Sequence, residues 1–278
     1  MKLDLLLINP ASAKEVYQAL ANDYSGIGTP YWALLLAQSC RAQGFQVSIL
    51  DVLAEKLEIR EAVKRIKRLN PRLVCFVVYG ENVNSGTTQM SGAVKLADAV
   101  KESGINIPIT FVGSHVQALP YKVLKEEKNI DFVFTNEGVY ALFNVLKLDN
   151  LHDKRALRKI KGIGFMKEGR PFLTPPEKVV PQERMDIDLP GYAWDLLPYK
   201  KSPFDLYRSP MWHADYDEDK RTPYAALYTS LGCVFQCEFC MINILNRDDT
   251  DEIGVAGNYN KMRFWSPEFI IKEFDKLV

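Results

Sequence analysis

Cys233, Cys237 and Cys240 lie in the run Ser230-Leu-Gly-Cys-Val-Phe-Gln-Cys-Glu-Phe-Cys240, spaced by four and then three residues. This spacing brings three soft thiolates onto one short loop, and such thiolates hold iron–sulfur clusters, zinc or cuprous copper. Structural zinc sites usually pair Cys-x2-4-Cys with a second, distant pair, whereas this chain has three clustered cysteines and no second pair. The spacing favours an iron–sulfur cluster with one metal position left free. Zinc with His213 as a fourth ligand, or three unrelated buried thiols, are the competing readings.

With Phe239 just before its last cysteine, the loop resembles that of the radical S-adenosylmethionine (SAM) enzymes. The resemblance implies that Cys233, Cys237 and Cys240 ligate three irons of a 4Fe-4S cluster, while the fourth iron chelates SAM, with Phe239 beside it. One electron from the cluster then cleaves the sulfonium to a 5'-deoxyadenosyl radical, chemistry that proteins delegate to cofactors. An electron donor such as a flavodoxin or ferredoxin is implied as a partner. Phe235 and Phe239 are expected to pack around the cluster.

The elements that must position this loop are legible in the rest of the chain. Its 278 residues are room for about two domains, and 47% hydrophobic content supports packed cores. The 35 basic and 35 acidic residues cancel, which argues against a nucleic-acid surface and leaves a small-molecule substrate as the default. No apolar run is long enough to span a membrane and no signal peptide precedes the first strand, so a cytoplasmic protein is expected. Cys40 and Cys75 fall inside a predicted helix and a predicted strand and read as core thiols.

Residues 1–148 alternate short apolar runs with helical patterns, predicting a doubly wound, flavodoxin-like α/β domain with a mainly parallel sheet. Strands are expected over Leu3–Asn9, Gln46–Asp51, Leu73–Tyr79, Ile107–Gly113 and Asp131–Asn136. Helices are expected over Pro30–Ala42, Leu57–Leu69, Thr88–Ser103 and Val139–Leu146. Ligands of such sheets bind beyond the carboxyl ends of the strands. That directs attention to Asn9–Ser12, Tyr79–Asn82, Gly113–His115 and Thr135–Gly138. Gly26-Ile-Gly28 imitates part of a dinucleotide fingerprint, but 16 residues (10 to 25) separate it from the first strand and the third glycine is missing.

The order of Asn9-Pro10, Gly28-Thr-Pro-Tyr-Trp-Ala-Leu-Leu-Leu, Gly44 to Asp51, Val112-Gly-Ser-His to Pro120 and Asp131 to Gly138 resembles the cobalamin-binding domain upstream of one radical SAM subfamily. A corrin would rest on small residues at strand ends, here Gly80, Gly113, Ser114 and Gly138, with Asn9, His115 and Glu137 beside them. His115 reads equally as a residue fixing the Gly113 turn, and Glu137 has the alternative reading of a helix-opening carboxylate. Tyr31 and Trp32 read as helix packing. The loop after the first strand lacks the histidine that ligates cobalt in domains with an Asp-x-His-x-x-Gly motif, so cobalt is expected to lack a ligand from there.

Residues 149–221 form a proline-rich linker with a hairpin turning at Glu168-Gly169. His213 falls in a charged stretch that reads as a solvated loop. Residues 222–278 read as the start of a radical SAM (β/α) barrel: a strand from Thr222 to Ser230, the cysteine loop, and a helix capped by Ser266 with Pro267 at its first position. A whole barrel needs about 200 residues or more, so only its first strand-helix unit is expected here and the chain alone is expected to be inactive. The resemblance implies a cobalamin-dependent radical SAM enzyme, with methyl transfer to an unactivated carbon foremost and cyclisation or rearrangement in other members. The rivals are a radical SAM enzyme whose α/β domain no longer binds cobalamin, and a zinc-binding, non-enzymatic module.

Overall fold

A computed structural model describes residues 2–20, 26–80, 84–199, 207, 224–235, 237–242 and 261–278. The first half follows the predicted alternation. Strand β1 (Leu5–Asn9) is followed by a short helix α1 (Ala13–Tyr17), α2 (Tyr31–Ala42), β2 (Val47–Asp51), α3 (Ile59–Leu69) and β3 (Leu73–Val77). Next come α4 (Met90–Glu102), β4 (Ile109–Val112), α5 (Ser114–Ala118), α6 (Pro120–Glu126), β5 (Phe132–Phe134) and α7 (Val139–Leu146). Each observed strand lies within its predicted span and is one to three residues shorter.

The sheet runs β2-β1-β3-β4-β5, all parallel. Alternate residues of each strand serve opposite faces, as pleating requires. Leu5 and Leu7 of β1 pack into the core that holds α2 and α7, while Leu6 and Ile8 enter the core that holds α3 and α4. All four are fully buried, each contributing about 1.5–3 kcal/mol of transfer free energy. Cys40 and Cys75 are also fully buried, as expected of core thiols, and burial pushes both thiols' pKa upward.

After a one-turn helix α8 (Lys154–Leu157), the predicted hairpin appears as β6 (Ile163–Lys167) and β7 (Arg170–Leu173). Glu168 and Gly169 both take positive φ, 50° and 78°, the primed turn geometry that matches strand twist. The hairpin is more than a connector. It adds two antiparallel strands beside β5, giving a seven-stranded sheet.

A further short helix, α9 (Met185–Asp188), leads to the segment that carries the cysteines. Here the structure differs from the sequence expectation. Of the expected strand Thr222–Ser230, residues 222 and 223 lie outside the described residues, and of the rest only Ser230 is in a strand: β8 spans Ser230–Gly232 and pairs antiparallel with β9 (Met262–Phe264). Residues 224–228 are irregular because they serve the first domain: Ala226 exchanges hydrogen bonds with the Thr29 hydroxyl (2.8 and 2.9 Å), and Tyr228 packs edge-on against Tyr31 at 4.3 Å. The last helix, α10 (Pro267–Asp275), is capped as predicted, with Ser266 Oγ accepting from Phe269 N at 3.2 Å. His213, Glu81 and Asn82 lie outside the described residues.

Candidate functional site

Because β1 to β5 are parallel, their carboxyl ends share one edge, and the structure gathers most of the sequence-derived candidates there. Asn9 ends β1, Gly80 follows β3, Gly113, Ser114 and His115 follow β4, and Glu137 and Gly138 lie between β5 and α7. A small cavity of about 50 Å³ at this edge is lined by Asn9, Thr29, Trp32, Tyr79, Gly80 and Gln89, among others. It is far too small to enclose a corrin, so a corrin would lie across the edge.

Several buried polar atoms at this edge have no hydrogen-bond partner among the described residues: Trp32 Nε1, Gln89 Oε1, Ser114 Oγ and Gln117 Oε1. Buried polar atoms normally find partners. A cofactor fringed with amides could supply both donors and acceptors, so the residues present fit such a group. Gln117 also donates from Nε2 to the Asn136 carbonyl at 2.6 Å and to the Tyr79 hydroxyl. Tyr31 donates to the Gly80 carbonyl at 2.9 Å, and the Trp32 ring lies 5.2 Å from Tyr79. The packing role read for Tyr31 and Trp32 thus also shapes the edge.

The glycines owe their places to crowding. A Cβ on Gly80 would overlap Ser85, and one on Gly113, which has φ of 153°, would lie 2.2 Å from the Val78 carbonyl oxygen. The open floor inferred from the sequence is therefore a set of loops closed tightly on one another. Gly113→Ala is expected to cost about 1–3 kcal/mol through backbone strain and displacement of the β3 end. An unchanged denaturation midpoint would show that the loop relaxes freely.

The polar candidates are committed to local partners. His115 Nδ1 and Thr87 Oγ1 are 2.9 Å apart, and burial together with the Lys122 ammonium holds the imidazole below its ordinary pKa. Glu137 is buried, with its carboxylate on Arg263 and on the Val180 N–H. Asn9 donates to Asp51 at 2.8 Å, and the same carboxyl accepts from Ala54 N and the Tyr207 hydroxyl. Sequence reading passed over Asp51, Gln117 and Arg263. An aspartate ending an apolar strand, and an arginine between Met262 and Phe264, were the available signals.

Burial raises the Asp51 carboxyl from 3.8 to about 6 despite its three donors. A carboxyl with a raised folded pKa binds its proton more tightly in the fold than in the unfolded chain. Its contribution to stability is therefore present at acid pH and is lost as pH rises from about 4 to about 6. Asp51→Asn removes that dependence, so the variant should gain stability relative to wild type across this window and the difference should flatten above it. Denaturant melts at several pH values test this; parallel curves would refute it.

The cysteine loop reaches the same edge. Cys233 follows β8 directly, its sulfur accepting from Phe235 N at 3.4 Å, and Cys240 N donates to the Cys237 carbonyl at 3.0 Å. Met241 N donates to the Asn84 side chain at 2.9 Å, which ties the loop to the segment after β3. Cys233 and Cys240 are half-buried and Cys237 is exposed, and all three thiols are free. Among the described residues no three His, Cys, Asp or Glu side chains are gathered closely enough to hold a metal. Phe235 and Phe239 are exposed, 68% and 82%, instead of packed inward. The donor set of three free, accessible thiols on one short loop suits a thiolate-held cluster.

A parallel α/β sheet whose carboxyl-end edge meets a cysteine-bearing segment defines the class by its fold: an α/β domain of the ligand-binding type with a cysteine loop against its edge. Residues 17–146 match the model of the B12-binding domain family. The chain is 26% identical over 238 residues to an uncharacterized methyltransferase of Pyrococcus horikoshii, covering 86% of this chain and 45% of that protein. It is 24% identical over 267 residues to the cytidylyl-2-hydroxyethylphosphonate methyltransferase of Streptomyces wedmorensis, covering 85% and 47%. The chain thus spans less than half the length of these curated relatives.

Among solved structures, the fold matches the cobalamin-dependent SAM radical enzyme OxsB, determined with aqua-cobalamin and SAM, at a TM-score of 0.65 and 16% identity. That match covers 98% of this chain and 31% of OxsB. The radical SAM methyltransferase TsrM from Kitasatospora setae, with cobalamin and a [4Fe-4S] cluster, matches at 0.61 and 14% identity, over 100% and 46%. These likenesses show the fold: a mostly parallel seven-stranded α/β sheet followed by a shorter cysteine-bearing segment. No helix among the described residues is long and apolar enough to cross a membrane.

Proposed function

We propose that this chain forms the cobalamin-binding part and cysteine loop of a cobalamin-dependent radical SAM methyltransferase acting on a small molecule, with a flavodoxin- or ferredoxin-type electron donor. The observation that supports this reading is the seating of the cysteine loop at the ligand edge of the B12-binding domain, through Met241 to Asn84 and Ala226 to Thr29. The two methyltransferase relatives support the outcome. Cys233, Cys237 and Cys240 would hold the 4Fe-4S cluster, and Phe239, exposed beside them, would lie against SAM. The strand-end residues Asn9, Gly80, Gly113, Ser114, His115 and Gly138 would carry the corrin, with Trp32 Nε1 and Gln117 Oε1 meeting its amides.

When bound, the cluster with SAM supplies one-electron cleavage of a sulfonium, and cobalamin supplies a methyl carrier. The chain's own part is to bind and orient. The tightly closed glycine loops keep the edge rigid, and the buried Tyr79-Gln117-Asn136 network fixes the loops after β3, β4 and β5 relative to one another. Preorganised positioning of this kind is how a scaffold lowers the cost of bringing reactive groups together.

Anaerobic reconstitution with iron, sulfide and hydroxocobalamin, followed by spectroscopy of the gel-filtered chain, tests the reading. Both cluster and corrin absorption are expected. Cluster without corrin would favour a radical SAM protein whose first domain no longer takes cobalamin. Stoichiometric zinc without acid-labile sulfide would favour the non-enzymatic module.

A further inference from the structure

β9 stands between the two halves of the site. On one side it pairs with β8, Arg263 opposite Leu231, two residues before Cys233. On the other, Phe264 exchanges hydrogen bonds with the Gln182 side chain at 2.8 and 2.9 Å. From its centre the Arg263 side chain reaches back to the corrin edge, where Nη2 and Nη1 lie 2.9 and 3.3 Å from the two Glu137 oxygens. Nη1 also donates to the Val180 carbonyl at 2.6 Å, and Val180 N donates to Glu137. Glu137 is 5% exposed and Arg263 2%, and Glu137 immediately precedes Gly138 at the end of β5.

A buried ion pair is weak evidence for stability, since apolar residues of similar volume often serve as well. A guanidinium fork on a carboxylate offers instead a directional, two-point fixing of one backbone against another. Those two backbones are the last strand-end loop of the B12-binding domain and the strand that carries the partner of the cysteine-bearing strand. We propose that Glu137 and Arg263 are a positioning pair that holds the cysteine loop in register with the corrin edge, and so sets the distance between cluster and cobalt. This rests on the two-cofactor reading given above.

The test uses the whole chain as wild type, Arg263→Met, and the double variant Glu137→Met/Arg263→Met, which removes both buried charges and keeps the fold testable if the single variant unfolds. Two readouts are taken. In reconstituted protein, dipolar spectroscopy between Co(II) and the reduced cluster gives their separation in the fraction carrying both. In cofactor-free protein, amide exchange is followed at Leu231, Gly232 and Phe264. The double variant is expected to melt near wild type while its cobalt–cluster distribution shifts or broadens by about 1 Å or more and the β8–β9 amides exchange about tenfold faster. A double variant with wild-type separation and wild-type exchange overturns the proposal, since the loop then keeps its place without the pair. If wild type binds no cobalamin or no cluster, the two-cofactor reading fails. The exchange arm then still decides whether the pair holds the loop, and unchanged exchange there overturns the pair as well.

Discussion

Under the proposed reading, Cys237→Ala should fail to take up iron on reconstitution while keeping its fold. Cys237 is exposed and its thiol is free, so trimming it falls in the class of surface changes that alter stability by about 0.5 kcal/mol or less. Removing even an outer partner of a metal ligand costs about 10–100-fold in metal retention, and a lost thiolate should cost at least the lower figure. Iron and acid-labile sulfide per chain after anaerobic reconstitution should therefore drop about tenfold or more, with the melting curve unmoved. A full 4Fe-4S complement in this variant would sink the assignment of Cys237 as a ligand. A lower melting temperature accompanying the loss would point instead to a structural thiol.

The second large effect concerns stability. Arg263→Met leaves the Glu137 carboxylate buried against the Val180 N–H without its cation. Breaking a buried pair from one side costs about 3–5 kcal/mol, because the abandoned charge has neither water nor partner. For a domain of ordinary marginal stability that is a large share of the total. Glu137→Gln should act in the same direction, since it strands the guanidinium. Denaturant midpoints report both, and single variants unfolding together with wild type would mean that water reaches the pair in solution.

Much of this fold was legible because the parallel strands are buried on both faces. Leu5 to Ile8 and Leu73 to Val77 are continuous apolar runs and Ile109 to Val112 is broken only by Thr110, the composition expected of strands covered on both faces. The hairpin turn at Glu168-Gly169 and the Ser266 cap were local signals of the same clarity. The segment 224–228 was read as strand because its residues suit one. Its hydrogen bonds go to Thr29 and Tyr192, and tertiary partners of that kind leave no periodic trace. The same limit applies to the site. The cysteines announced themselves by spacing, and the strand-end residues by the topology of parallel sheets. Glu137 was noticed as a helix-opening carboxylate, but its ion pair spans 126 residues and no local pattern links it to Arg263. Asp51 likewise ends an apolar strand, and no local pattern links it to Tyr207, 156 residues on.

All seven strands of the main sheet come from residues 5–173, with the antiparallel hairpin completing it, whereas the cysteines are synthesised some sixty residues later (173 to 233). A ribosome releases the chain in that order, and domains fold as units from the amino terminus. The platform can thus be finished, and its buried carboxylate at Glu137 already set in the β5–α7 turn, before Arg263 emerges to meet it. Pulse proteolysis of nascent chains halted at increasing lengths would show protection of residues 5–173 ahead of the cysteine segment. Simultaneous protection would refute this order. Assembly of the site then becomes a timed event, in which the cysteine loop arrives at a seat that was built first.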